Sequence, residues 1–122
     1  MCTVLLADDN AGDIEALRLI LEAEGHRVVT VDNGCEALRA ARRECPDVVI
    51  TDLDMPCMDG IELCRQMKRH AALAAIPVMV VSASFPQSFG VPLWAAFFRK
   101  PASLPPLVDL VRELGGPRGL PV

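Results

Sequence analysis

Val48-Val49-Ile50-Thr51-Asp52-Leu53-Asp54-Met55-Pro56 is the stretch of this chain whose reading decides its fold. Val48 to Thr51 has β-branched residues without the strict alternation of a half-exposed strand, a pattern suited to a strand covered on both faces. The run stops at Asp52, and a loop rich in turn formers extends through Pro56 to Gly60. A strand that ends abruptly on an acid, followed by a turn and then a helical period, is one βα unit. The rest of the chain repeats that unit in both directions.

Before it, Thr3 to Ala7 reads as a strand ending in Asp8-Asp9-Asn10. Asp13 to Glu24 takes a helical period, with Ile14, Leu17, Ile20 and Leu21 apolar, Arg18 and Glu22 placed to pair, and Gly25 as a stop. Val28 to Val31 is a second strand, and Asp32-Asn33-Gly34 turns into a helix over Cys35 to Glu44. After the central unit, Ile61 to His70 predicts a third helix carrying Ile61, Cys64, Met67 and Lys68, with Leu63 on its flank. Asp59-Gly60 reads as the turn that starts it. Pro77 to Val81 is a fourth strand ending in Ser82, and Ala96 to Arg99 a fifth, stopped before Lys100-Pro101. The last helix runs from Ser103 to Leu114, with Pro105 and Pro106 tolerable only in its first turn. Strands alternating with helices predict an α/β fold, a parallel sheet covered on both faces.

Composition agrees with one small domain. The chain has 122 residues, 52% hydrophobic and 23% charged, with 16 acids against 12 bases for a net charge of -4. This balance disfavours direct nucleic-acid binding. No apolar run approaches the roughly 20 residues of a membrane span, so the expected location is the cytoplasm. Cys2, Cys35, Cys45, Cys57 and Cys64 are odd in number and lack zinc-like spacing; free thiols fit them better than a disulfide scaffold. Packing is the expected role of Cys57 and Cys64. His26 and His70 stand apart from the acids, which predicts surface or boundary roles rather than metal binding.

In a parallel sheet, ligand chemistry sits beyond the C-terminal ends of the strands. That places Asp8, Asp9, Asp52, Ser82 and Lys100 around one polar cavity. Three adjacent carboxylates repel one another, and a divalent cation resolves the conflict. Mg²⁺ prefers oxygen ligands and keeps several waters, whereas zinc would call for a histidine cluster. Lys100 brings a positive charge suited to a phosphoryl oxygen, and Ser82 a hydroxyl for another. Asp52 is then the carboxylate left to act as nucleophile.

Leu5-Leu6-Ala7-Asp8-Asp9-Asn10, Asp52 through Gly60, Val81-Ser82-Ala83 and Phe98-Arg99-Lys100-Pro101 together resemble the receiver domain of bacterial two-component response regulators. The resemblance covers nearly the whole chain, with residues 1–116 as the domain and 117–122 as a tail or linker remnant. It implies a flavodoxin-like doubly wound sheet of five strands in the order 2-1-3-4-5. It implies Mg²⁺-dependent transfer of a phosphoryl group onto Asp52 from a histidine kinase or a histidine phosphotransfer protein, followed by hydrolysis. By the same resemblance Asp9 and Asp52 ligate the metal directly, Asp8 acts through water, and Asp54 contributes its backbone carbonyl. The Asp54 side chain is either merely solvated or an influence on water approach. Ser82 would switch rotamer to engage the phosphoryl group and Lys100 would pair with it. Phe97 takes the place of the aromatic switch residue, without a hydroxyl, and Lys100-Pro101 the place of a cis peptide bond.

The stretch from Ser84 to Ala95 departs from the family. It is about one helical turn short, and Pro86, Gly90 and Pro92 oppose a helix. The expectation is a loop or a shortened helix between strands four and five. Phe85, Phe89, Val91, Leu93 and Trp94 then form either a lid over the protein's own sheet or an atypical surface for a downstream partner or homodimer. Two further readings stand beside a phosphoacceptor switch. One is a small phosphohydrolase of the haloacid-dehalogenase type, suggested by Asp52-Leu53-Asp54 but lacking the expected threonine and a substrate cap. The other is an unphosphorylated adaptor that keeps the fold.

Overall fold

The computed structural model describes residues 2–85 and 92–115. In chain order the elements are β1 (Thr3–Ala7), α1 (Ala11–Ala23), β2 (Arg27–Val31), α2 (Gly34–Glu44), β3 (Val48–Thr51), α3 (Gly60–Arg69), β4 (Val78–Ser82), β5 (Ala96–Arg99) and α4 (Leu104–Leu114). All strand pairings are parallel and the order is β2-β1-β3-β4-β5. The unbroken apolar run at Val48 to Thr51 sits at the centre of the sheet, as its pattern requires.

Successive side chains of the central strands go to opposite faces. Leu5, Val49 and Val80 pack with Ala37, Ala41, Leu63 and Met67 of α2 and α3. Val4, Leu6, Ile50 and Met79 pack on the other face with Leu17, Leu21, Leu107 and Val111 of α1 and α4. Leu5, Ile50 and Met79 are fully buried, each contributing roughly 1.5–3 kcal/mol relative to exposure. Leu63, expected on the flank of its helix, is also fully buried, whereas Lys68 is exposed and donates to the Ala74 carbonyl at 2.9 Å.

Three helices start on a polar cap beyond a strand's C-terminal end. Asn10 accepts from the Asp13 N–H, Asn33 from the Glu36 N–H and Asp59 from the Glu62 N–H, at 3.0, 2.8 and 2.8 Å. Each cap satisfies an N–H that the helix itself leaves unpaired, and each has an acid three residues on. Asp59 thus starts its helix as expected, and the caps place the loops around the strand ends.

Between β4 and β5 none of the described residues is helical. Leu93 and Trp94 pack against the α2–α3 side of the sheet, in the position of a self-made lid. Phe85 does not join them: it is 60% exposed, stacked on Phe97 with ring centroids 5.9 Å apart. The Arg99 guanidinium lies 4.2 Å above its ring. Phe89 and Val91 of the expected lid lie outside the described residues, as does the tail at 117–122.

The cysteines correct the expectation of free thiols throughout. Cys35 and Cys57 form a disulfide across 22 residues of sequence, while Cys2, Cys45 and Cys64 are free. The loop after β3 folds over the start of α2 and brings the pair together.

His26 is buried at the foot of the sheet, where its Nδ1 accepts the Cys2 N–H at 3.2 Å. Burial lowers its pKa from 6.5, so the fold prefers the neutral ring. The unfolded chain therefore binds more protons below about pH 6.5, and stability present above that pH is lost as pH falls towards the depressed folded value. Unfolding free energy is expected to fall as pH drops from about 7.5 to about 5.5. Urea titrations of the parent and His26→Gln check this; an equal drop in the variant would assign the effect to other groups.

Candidate functional site

The site lies beyond the C-terminal edge of β1, β3, β4 and β5, where the strands deliver Asp8, Asp52, Ser82 and Lys100. Asp52 continues the ladder, its N–H donating to the Ala7 carbonyl at 2.9 Å, so its carboxylate is held at the strand end. There Oδ1 accepts from the Leu53 N–H at 2.7 Å and faces the Asp54 N–H at 3.4 Å. Oδ2 accepts from the Lys100 Nζ at 3.2 Å. Asp8 is turned inward, taking the Asn10 N–H on Oδ1 and Lys100 Nζ on Oδ2, at 2.9 and 2.8 Å. Asp8, Asp52 and Ser82 are buried, while Asp9 is exposed. Carboxylate oxygens of Asp8, Asp9 and Asp52 all lie within 4.8 Å of one another.

Lys100 is fixed from behind. Its N–H donates to the Ser82 carbonyl at 2.9 Å, and the Lys100–Pro101 peptide bond is cis. Its ammonium has a third partner that the sequence reading missed, Asp13 Oδ2 at 2.8 Å. Asp13 sits in the first turn of α1, where the helical period marks it only as the start of that helix. An acid one turn beyond the Asp8-Asp9 pair was the available signal. A second omission is Ser84, whose hydroxyl donates to Asp54 Oδ2 at 2.6 Å and whose N–H donates to Ser82 Oγ at 3.2 Å. The Asp54 side chain is thus exposed but held, rather than merely solvated.

The charges settle unequally. Burial raises the Asp8 pKa, and the neighbouring Asp52 charge adds to it, against the bonds from Lys100 and Asn10. At Asp52 burial also pushes upward, but hydrogen bonds from Ser82 and Lys100 together with the ammonium charge outweigh it, so its pKa is lowered. The Lys100 pKa is raised: burial opposes its charge, and its carboxylate partners more than restore it. Asp52 is therefore an ionised carboxylate with an ammonium beside it. The cluster is all oxygen and of excess negative charge, a donor set that fits a hard divalent cation.

Two glycine and aromatic features frame this arrangement. A Cβ at Gly60 would lie 2.3 Å from the Asp52 carbonyl oxygen, so only glycine lets α3 begin against the end of β3. Phe97 is partly buried among the α2–α3 side residues, reached by Phe85 from the β4–β5 connection. Beside the polar cluster a cleft of about 400 Å³ runs between α1 and α4, with Asp8, Asp13, Asp52 and Lys100 at its polar end. No described helix is long and apolar enough to cross a membrane.

Comparison with known proteins agrees with this geometry. The family model described as the response regulator receiver domain matches residues 4–91. Protein PilH of Pseudomonas aeruginosa is 38% identical over 82 residues, which are 67% of this chain and 68% of PilH. The signal receiver domain of a signal transduction histidine kinase from Syntrophus aciditrophicus superposes with a TM-score of 0.82 at 30% identity, covering 100% of this chain and 97% of that one. The receiver domain of a Pseudomonas aeruginosa sensor histidine kinase, solved with a magnesium ion coordinated in its active-site cleft, gives a TM-score of 0.84. It is 23% identical over 95% of this chain and 98% of its own, a likeness of fold.

Proposed function

The chain belongs to the response regulator receiver domain family, and from that premise we propose that it is a phosphoacceptor switch whose acceptor is Asp52. The observation that carries this reading is the reach of Lys100 Nζ to both Asp8 and Asp52 from the end of a different strand. A carboxylate kept ionised by an ammonium and a hydroxyl, in a cleft open to a partner, is equipped to receive an electrophilic phosphoryl group.

The donor is a phosphohistidine on a histidine kinase or a histidine phosphotransfer protein. An Asp52 carboxylate oxygen forms the new bond to phosphorus, the P–N bond breaks, and the imidazole leaves to take a proton from water. Lys100 then exchanges part of its carboxylate contact for a phosphoryl oxygen, and Ser82 turns its hydroxyl to another. Asp8, Asp9, Asp52 and the Asp54 carbonyl would hold Mg²⁺, which when bound neutralises the crowded carboxylates and the charge of the transferring group. Asp54, held by Ser84, stands where it bears on the approach of hydrolytic water. Movement of Ser82 and Lys100 pulls on the β4–β5 connection and on Phe97, carrying the change to a downstream protein. The setting is the cytoplasm, without direct contact to nucleic acid or membrane.

Incubation with acetyl phosphate and Mg²⁺, read by intact mass, is expected to add one phosphoryl group. Chelation of the metal should reduce the labelled fraction by at least about 10-fold. Labelling undiminished by chelation would contradict the role given to the acidic cluster. Steady release of phosphate over many turnovers from a small phosphate monoester would favour a hydrolase instead.

A further inference from the structure

The proposed phosphoacceptor role leaves one covalent feature unused, the bond between Cys35 and Cys57. Its location gives it meaning. Cys35 is in the first turn of α2, and Cys57 is at the tip of the loop that begins at Asp52 and ends at Gly60. The two Cα atoms are 5.9 Å apart. This approach is built into the backbone: the Gly34 N–H donates to the Pro56 carbonyl at 3.4 Å. A Cβ at Gly34 would sit 1.9 Å from the Met58 carbonyl oxygen. Glycine is therefore required where the loop lies on the helix.

The same loop carries the acceptor chemistry. At its base the Gly60 N–H donates to the Leu53 carbonyl at 2.9 Å, and Asp52 Oδ1 holds the Leu53 N–H. Asp54, whose carbonyl is assigned above to the metal, lies between that base and Cys57. Cys57 itself has φ of 73°, a left-handed backbone that a non-glycine residue adopts only at a cost. A covalent tie at the tip keeps the loop in this conformation. Without the tie the tip is free to relax, and the Asp54 carbonyl moves with it.

We propose that Cys35 and Cys57 are a thiol–disulfide exchange site through which a small thiol–disulfide couple tunes the affinity of the acidic cluster for a divalent cation. Chemistry and exposure fit this role. Cys57 is exposed and Cys35 half-buried, so an incoming thiolate reaches the Cys57 sulfur first. Attack there forms a mixed disulfide on Cys57 and expels the Cys35 thiolate, a leaving group favoured at a helix N-terminus. A second small thiolate attacks its partner sulfur in the mixed disulfide and releases the Cys57 thiolate. Two small thiols become one small disulfide, two electrons enter the protein, and the two protons end on Cys35 and Cys57. Oxidation reverses each step. Of the free thiols, Cys2 and Cys64 are buried, with burial pushing the Cys64 pKa up to about 11, whereas Cys45 is exposed and is controlled for by its own substitution.

The test uses the full chain equilibrated in glutathione buffers of graded ratio, then quenched with iodoacetamide and mapped by peptide mass. Cys35 and Cys57 are expected to gain the label together, as one two-electron transition. Mg²⁺ is then titrated into the fully oxidised and fully reduced forms, following backbone NMR shifts of residues 52–60. The reduced form should bind at least about 5-fold more weakly. The variant Cys35→Ser with Cys57→Ser should match the reduced form at every ratio, while Cys45→Ser should respond like the parent. Full labelling of both cysteines even in the most oxidising buffer would overturn the exchange site. Equal Mg²⁺ affinity in the two forms would overturn the coupling alone. Absence of Mg²⁺ binding in both forms would overturn the metal reading and the coupling together, leaving the exchange itself intact.

Discussion

Asp52→Asn is expected to bring phosphoryl incorporation down to background while leaving the fold in place. The amide oxygen of asparagine is a poor nucleophile and cannot form a stable acyl phosphate, so acceptance is lost outright rather than slowed. The fold tolerates the exchange because the side chain's work is divided. Its backbone N–H stays in the ladder with Ala7, and an amide oxygen can still accept from the Leu53 N–H. Lys100 loses one of three carboxylates but keeps Asp8 and Asp13. Relief of the repulsion between Asp8 and Asp52 offsets part of that loss, so stability should change by about 1 kcal/mol or less. Intact mass after acetyl phosphate treatment and a urea titration decide the two halves separately. An undiminished mass increment in the variant would move the acceptor to Asp54, Asp8 or Asp9 and sink the assignment.

Much of the fold is legible because each element announces itself twice. The central strand shows an unbroken apolar run and then an acid, and the structure buries all of Val48 to Thr51. The helix ends are less sharp. α1 begins at Ala11, two residues before the Asp13 of the sequence reading, because Asn10 belongs at once to the polar strand end and to the helix cap. Leu63 reads as a flank on a helical wheel, yet it is fully buried because the sheet covers a wider arc of α3 than the seam through Cys64 and Met67. After Ser82 periodicity has little to offer. Proline and glycine exclude a long helix but say nothing of which aromatic side chains turn inward, and Phe85 and Trp94 divide on that point.

The polar cluster is legible for a different reason. Residues at the C-terminal ends of parallel strands share an edge whatever their separation in sequence, so topology alone gathers Asp8, Asp52, Ser82 and Lys100. Asp13 and Ser84 escape that rule, since neither ends a strand. The contact of Asp13 with Lys100 depends on how α1 leans over the β5–α4 connection, and Ser84 reaches Asp54 across two loops. The Cys35–Cys57 bond escapes it too: Cys35 lies in the first turn of α2 and Cys57 in the β3–α3 loop, and their approach depends on the glycine at 34. Strand ends are dictated by pattern, whereas loop-to-loop contacts are dictated by packing.

Lys100→Met should divide two properties that a merely structural lysine would move together. The methionine keeps most of the apolar stem, so the change falls on the charge. In the metal-free protein three carboxylates lose their shared cation, with Asp8 and Asp52 buried and Asp13 at the wet edge. Removing one partner of a buried pair costs roughly 3–5 kcal/mol, and the access of water at Asp13 lowers the expected loss here to about 2 kcal/mol. A divalent cation answers the same repulsion and no longer competes with an ammonium 2.8 Å from Asp8 Oδ2 and 3.2 Å from Asp52 Oδ2. Mg²⁺ is therefore expected to bind about 10-fold more tightly to the variant, and to recover most of its lost stability. Phosphoryl incorporation should nevertheless fall by at least about 100-fold, because the positive charge that meets the incoming oxygens is gone. Calorimetric Mg²⁺ titration at about pH 8, where carboxylates are ionised, set against mass-monitored labelling at saturating metal, measures both. Metal affinity and labelling falling in parallel would mean that Lys100 only holds the carboxylates in place.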